Sequence, residues 1–282
     1  NPAGIETHYT YDDKGYLTEI RNGRNELIEE ISYISVNGLL KVDKIKDRYG
    51  NTKYYSYDEK VGKTIITDQN GRITTQWYDT TFNITVNIDT EGKSTYIEYF
   101  IDDGINIYGE IKAVYDRNGN ITRYERDSRG NTTKIINPDS GYKLYTYDSK
   151  NNLISERDEN GNFTYYIYDS TETYLLKVVQ PLNGTDVYSA TADQSKFAIT
   201  SYTYYSYRED GVTIKGLMKT STDPEGNVTT YTYDDFGNIK TITDSYNNVT
   251  TYHYNSIGLL LSTLSPKGEL TEYTYDYNGN LL

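Results

Sequence analysis

The sequence predicts an all-β protein made of antiparallel β-hairpin repeats of about 21 residues, coiling into a spiral or a curved wall. Three observations carry this expectation. A Tyr-Asp pair or a close variant recurs at Tyr57-Asp58, Tyr78-Asp79, Arg126-Asp127, Tyr147-Asp148, Tyr168-Asp169, Tyr233-Asp234, Tyr254-Asn255 and Tyr275-Asp276, stepping by 21 residues within each run. A second signal runs out of phase with it, at Asp68, Asp89, Asp116, Asn137, Asp158, Asp223, Asp244 and Ser265, most followed three residues later by Gly. Between the two lie short segments rich in Tyr, Thr, Ile and Val, such as "NFTYYIY" (162–168) and "NVTTYTY" (227–233).

Each element follows from local chemistry. An Asp opening a type I turn bonds its own backbone, Pro suits the second position, and Gly or Asn accepts the left-handed fourth. Asp223-Pro224-Glu225-Gly226 and Ser265-Pro266-Lys267-Gly268 place Pro where that turn wants it. The segments between turns carry β-branched and aromatic residues at strand length, so they read as strands rather than helices. Strands joined by tight turns are antiparallel neighbours, which gives about 24 strands in about twelve repeats. An open sheet of that size must coil. The weaker copies lie near Tyr11, Tyr33, Tyr99 and Tyr207, and the period is interrupted near 100–112 and 181–200. The whole of 1–282 reads as one array.

Parity constrains the hairpins further. Tyr147 is expected to pair with Leu153 and Tyr233 with Ile239, as cross-strand aromatic and branched pairs. Because 21 is odd, two identical odd loops per repeat would put Tyr168 on the opposite face from Tyr147. The two turns of a repeat are therefore expected to differ, with one even loop, or a bulge must absorb the extra residue.

Composition narrows the function. The chain has 282 residues, 34 of them Tyr against 5 Phe, 1 Trp and 1 Met, so its aromatic surface is amphipathic. A net charge of −13 repels nucleic acid and anionic lipid. Zero Cys removes thiol nucleophiles and thiolate metal sites. No apolar run is long enough for a membrane span, so no membrane insertion is expected.

The stretches "YTYDDFGNIKTITD", "YTYDSKNNLISERDENGN" and "YTYDYNGNLL" resemble the YD repeats of the Rhs family, found in bacterial Rhs and wall-associated proteins, toxin-complex shells and teneurins. The resemblance covers nearly the whole chain except around 181–200. It implies a hairpin ribbon that spirals into a hollow shell, and a secreted or cell-surface location. In toxin-bearing members the shell encloses a toxin segment; in others it is an adhesion or carbohydrate-binding module. The Asp-Pro-x-x-Gly signature that closes such shells is missing, since Asp223-Pro224-Glu225-Gly226 falls on the ordinary repeat phase. The chain begins and stops inside repeats and reads as part of a longer array.

Chemical readings compete with turn chemistry and lose. Asp12-Asp13 and Asp234-Asp235 could be a glycosidase carboxylate pair, but neighbours in a turn diverge and sister copies carry Ser149 or Ser170 instead. Asp68-Gln69-Asn70-Gly71 and Asp116-Arg117-Asn118-Gly119 echo half a calcium loop without its later ligands. His8 and His253 have no metal-ligand spacing, and His253 reads as a strand residue opposite the tyrosines. Seven Asn-x-Ser/Thr sequons read as by-products of the repeat. No catalytic, cofactor or metal residues are expected. Structural repeat positions are Tyr57, Asp58, Tyr78, Asp79, Tyr147, Asp148, Tyr168, Asp169, Tyr233, Asp234, Gly237, Tyr275, Asp276 and Gly279. The expected function is a non-catalytic structural segment of a shell in a secreted or surface Rhs-type toxin protein. Its alternative is a carbohydrate-binding module using exposed Tyr rows. The expected partners are an enclosed toxin domain or a surface glycan, with self-association through exposed strand edges. Segment 181–200 is where partner specificity is first sought, and a short helix is expected there.

Overall fold

A computed structural model describes residues 6–81, 83–100, 109–206, 215–276 and 279–282. The chain is all-β: among the described residues 23 strands follow one another, and the pairings between them are antiparallel. It divides into two compact units, Ile5–Gly141 and Tyr142–Leu282. The repeat copy near Tyr207 and most of the interruption at 100–112 lie outside the described residues.

In the first unit β1 (Thr7–Tyr11) to β12 (Thr132–Ile136) form a meander, as do β13 (Tyr142–Tyr147) to β23 (Leu270–Glu272) in the second. Tyr147 pairs with Leu153 and Tyr233 with Ile239, the register read from the sequence. The parity problem has one main solution. Both turns of a repeat are built alike: the Asp148 N–H donates to the Asn152 carbonyl, and the Asp158 N–H to that of Asn162. The two turns therefore do not differ, and of the two outcomes expected, an even loop or a bulge, the bulge holds. A bulge absorbs the odd residue instead, in most copies beside the Tyr: Tyr147 faces Leu153, but Thr146 faces Ser155. The second hairpin of the same repeat, β14 (Leu153–Arg157) with β15 (Phe163–Tyr168), runs without a shift. The bulge returns Tyr147 and Tyr168 to one face.

Among the described residues one Tyr-Asp hairpin takes an even loop in place of the bulge. β5 (Thr52–Asp58) and β6 (Lys63–Asp68) pair straight through Tyr57 with Thr64 and Asp58 with Lys63, around the loop Glu59–Lys60–Val61–Gly62. The Gly62 carbonyl accepts the Tyr78 N–H at 2.8 Å. Its φ of +60° and the 2.8 Å from a would-be Cβ to the Tyr78 carbonyl oxygen leave room for glycine alone.

A sheet one layer thick has little interior. Among the described residues the buried apolar side chains are Ala113, Val179, Phe197 and Tyr205. Val179 borders the 181–200 interruption and Phe197 lies within it, and part of that segment is regular strand: β16 (Leu175–Pro181) pairs with β17 (Phe197–Tyr204) through Pro181 with Phe197. The helix expected there is a single 3-10 turn, Gln194–Lys196, capped by the Asp193 carboxylate. The loop folds back so that Tyr188 meets Phe197 edge-on at 5.3 Å and Tyr165 at 6.2 Å. Phe163 stacks on Tyr165 at 5.7 Å. These rings make an aromatic cluster in the second unit that extends beyond the ladder.

Candidate functional site

Two devices recur at the repeat positions. The first is an Asp–Asn clamp. Asp234 Oδ1 accepts the N–H groups of Phe236 (3.0 Å) and Asn238 (2.9 Å), and Asn238 Nδ2 donates to Oδ2 at 2.9 Å. The same arrangement holds Asp148 with Asn152, Asp116 with Asn120 and Asp276 with Asn280. Gly237 and Gly279 supply the positive φ that closes these turns, at 87° and 78°. The Asn side chain and then the backbone N–H groups hold the Asp116, Asp158 and Asp244 carboxyls below their usual range. Asp169 lies lower still, through the Thr171 hydroxyl and the Tyr174 and Thr173 N–H groups. The sequence reading missed the clamp, although an Asn directly after the turn Gly was its signal. All seven sequon asparagines, at 83, 120, 131, 162, 183, 227 and 248, donate Nδ2 to a carboxylate. They are working parts of turns.

The second device is a tyrosine latch. Tyr233 Oη donates to the Met218 carbonyl at 2.9 Å, and Met218 is the residue paired with Tyr204 of the preceding copy. The pattern repeats: Tyr57 to Val42 opposite Tyr33, Tyr99 to Ile84 opposite Tyr78, and Tyr275 to Leu260 opposite Tyr254, each at 2.8 Å. Tyr33 reaches Leu17 at 2.8 Å and Tyr204 reaches Leu175 at 2.7 Å by the same rule. The acceptor sits beside the bulge, where the ladder is locally interrupted. Each ring therefore crosses from one Tyr-Asp hairpin to the previous one. Burial pushes the hydroxyls of Tyr57, Tyr99, Tyr204 and Tyr233 above their ordinary range. Tyr166, which donates to Glu156, is raised by burial and by that carboxylate to about 12. Tyr78 departs from the rule and donates to Gln76 Oε1.

The most distinctive concavity belongs to the even-loop hairpin. A cavity of about 770 Å³ opens between β5–β6 and β7 (Ile73–Tyr78), lined by Lys41, Tyr57, Asp58, Lys60, Lys63 and Tyr78 among others. Lys41 Nζ pairs with Glu59 Oε1 at 2.6 Å and lies over the Tyr57 ring at 4.9 Å. Lys63 covers Trp77, 5.2 Å from its centroid. Asp58 accepts only the Lys60 N–H, at 3.1 Å, because Gly62 stands where the clamp has Asn.

The carboxylates considered as catalysts are turn parts. Asp12 accepts the Lys14 and Tyr16 N–H groups, and Asp234 sits in its clamp beside an exposed Asp235. His253 is exposed, pairs with Ser262, and alternates with Tyr252 and Tyr254, so it lies on the face opposite them. Among the described residues no group of three or more His, Asp or Glu side chains could hold a metal ion, and no helix is long and apolar enough to cross a membrane.

The geometry defines a class: an array of β-hairpins in which a clamp shapes each turn and a tyrosine ties it to the last. Residues 215–249 match the family model described as RHS Repeat. The same turn, bulge and latch recur before and after that segment, so the hairpins on either side resemble the matched repeat. Its fold is similar to part of the crystal structure of TcdB2-TccC3, with a TM-score of 0.54 and 13% identity over 99% of this chain and 20% of that one. The Tc holotoxin pore of Photorhabdus luminescens also aligns, with a TM-score of 0.41 and 13% identity over 98% of this chain and 20% of that one. The chain thus spans about a fifth of the structures it matches. No curated protein sequence matches it.

Proposed function

We propose that the chain is a non-catalytic length of shell wall in a secreted or surface-displayed Rhs-type toxin protein, with an enclosed toxin segment as its partner. The observation that carries this is the latch: six tyrosine hydroxyls that could have met a ligand donate instead to the backbone of the preceding hairpin. The positions Tyr57, Asp58, Tyr78, Asp79, Tyr147, Asp148, Tyr168, Asp169, Tyr233, Asp234, Gly237, Tyr275, Asp276 and Gly279 are assigned to this scaffold. The outer edge of β1, exposed along all five residues, suits pairing with a further strand of the array or of a second copy.

Limited proteolysis of the full gene product tests the reading. A wall predicts a segment that resists protease in the intact protein and is cut once the wall is opened by denaturant. Cleavage of every segment outside the repeats at equal rates would contradict it. Glycan-array binding that disappears in Tyr54→Ala or Tyr96→Ala would instead favour an adhesive surface, since both rings are 51% exposed on the face away from the latches.

A further inference from the structure

We propose that Asn37 is a site of spontaneous deamidation, and that its conversion rearranges the ion pair at the rim of the cavity beside β5–β6. The sequence contains several Asn-Gly pairs, and glycine offers the least steric hindrance to attack of its amide nitrogen on the preceding side chain. The fold separates them. Attack requires rotation about the Asn Cα–C bond, which carries the glycine N–H with it. At Asn70, Asn118 and Asn160 that N–H is tied to the carbonyl of the turn Asp, at 2.9, 2.9 and 3.1 Å. Their preceding peptide is fixed as well, since the N–H groups of Asn70 and Asn118 donate to Asp68 and Asp116 Oδ1. At Asn183 the Gly184 N–H is bonded to Pro181.

Asn37-Gly38 differs. It is the two-residue tip between β3 (Leu27–Val36) and β4 (Leu39–Asp47), with φ of 50° and 84°, the type I′ geometry that Asn-Gly favours. Among the described residues no bond to the Gly38 N–H is found, so fraying of this tip alone frees the reacting groups. The Gly38 nitrogen gives up its proton and attacks Asn37 Cγ. The Cγ–Nδ2 bond breaks, ammonia leaves, and water opens the cyclic imide at either carbonyl to give aspartate or isoaspartate. Nothing is oxidised or reduced.

The product changes its neighbour. Asn37 Nδ2 donates to Glu59 Oε2 at 2.6 Å, and Lys41 holds the other oxygen. Those two donors, Lys41 first, keep the Glu59 carboxyl below its usual range. A carboxylate at 37 removes one donor, opposes Glu59 and competes for Lys41.

Peptide mapping by mass spectrometry of the folded full chain, aged in buffer beside an aliquot in denaturant, tests the site. Acid at Asn37 is expected to accumulate several-fold faster than at Asn70, Asn118 or Asn160 in the folded chain, with the gap closing in denaturant. Conversion of any of those three as fast as Asn37 in the folded chain would overturn the proposal. The consequence is read by NMR titration of Glu59 in Asn37→Asp, a variant that keeps an Asp-Gly turn: its carboxyl should titrate higher than in the parent, and an unchanged titration would overturn that half.

Discussion

Replacing Tyr204, Tyr233 and Tyr275 together by Phe is expected to remove about 3 kcal/mol of stability from the second unit, at about 1 kcal/mol for each lost hydroxyl bond. The rings stay, so the area they cover is unchanged, and the loss isolates the latch. It has two parts: the missing Oη–H donor and a carbonyl beside a bulge left without it. Tyr204 and Tyr233 follow one another in the ladder, because Tyr233 bonds to the residue paired with Tyr204, so their effects couple somewhat. Tyr54→Phe is the control. Its ring is 51% exposed on the other face, and the change should be near neutral. Urea unfolding midpoints of the two variants and the parent read the difference, and a triple variant as stable as its parent would remove the latch from the account.

Phe197→Ala is expected to cost about 3–5 kcal/mol, the range for truncating a buried aromatic. Phe197 is 8% exposed, closes the β16–β17 strand pair opposite Pro181, and meets Tyr188 edge-on. In a single-layer sheet such sites are scarce, and the sheet cannot collapse around the hole as a two-layer core can. Phe236→Ala at a turn tip, where the ring is 76% exposed, should change the midpoint little. Comparable losses from the two truncations would mean that the interruption at 181–200 is not a packing centre.

The pairing register was legible because local chemistry decides it. Asp at the first turn position and Gly or Asn at the fourth fixed where Tyr147 and Tyr233 would fall, and the odd period required a compensating feature somewhere. Its form was not legible, because nothing in the residues around Ile154 distinguishes a bulge from a changed loop. The even loop at 59–62 did announce itself: Tyr57-Asp58 is followed by Gly at the fourth rather than the third position after Asp. The clamp was written in the Asn that follows many of the turn glycines, but Asn there also makes sequons, and these read as by-products of the repeat. The latch was hidden for a different reason. Tyr233 and Met218 are brought together by the next strand pair over, so the bond depends on sheet stagger, which a single-chain periodicity does not encode. Turn chemistry left the exposed His253 no role, and its place opposite the tyrosines followed from alternation alone.

The central claim is that the tyrosine ladder is construction rather than a ligand face, and tyrosine ionisation followed by ultraviolet absorbance tests it most directly. A hydroxyl whose value is raised in the folded state stabilises the fold below the unfolded value near 10 and loses that contribution as pH rises through the folded value, about 12 for Tyr166. The latched hydroxyls of Tyr57, Tyr99, Tyr204 and Tyr233, raised in the same direction by burial, should remain neutral past the ordinary tyrosine range and then ionise together as the sheet unfolds. Reversible ionisation of nearly all 34 tyrosines near pH 10, with the circular dichroism of the sheet intact, would contradict the account.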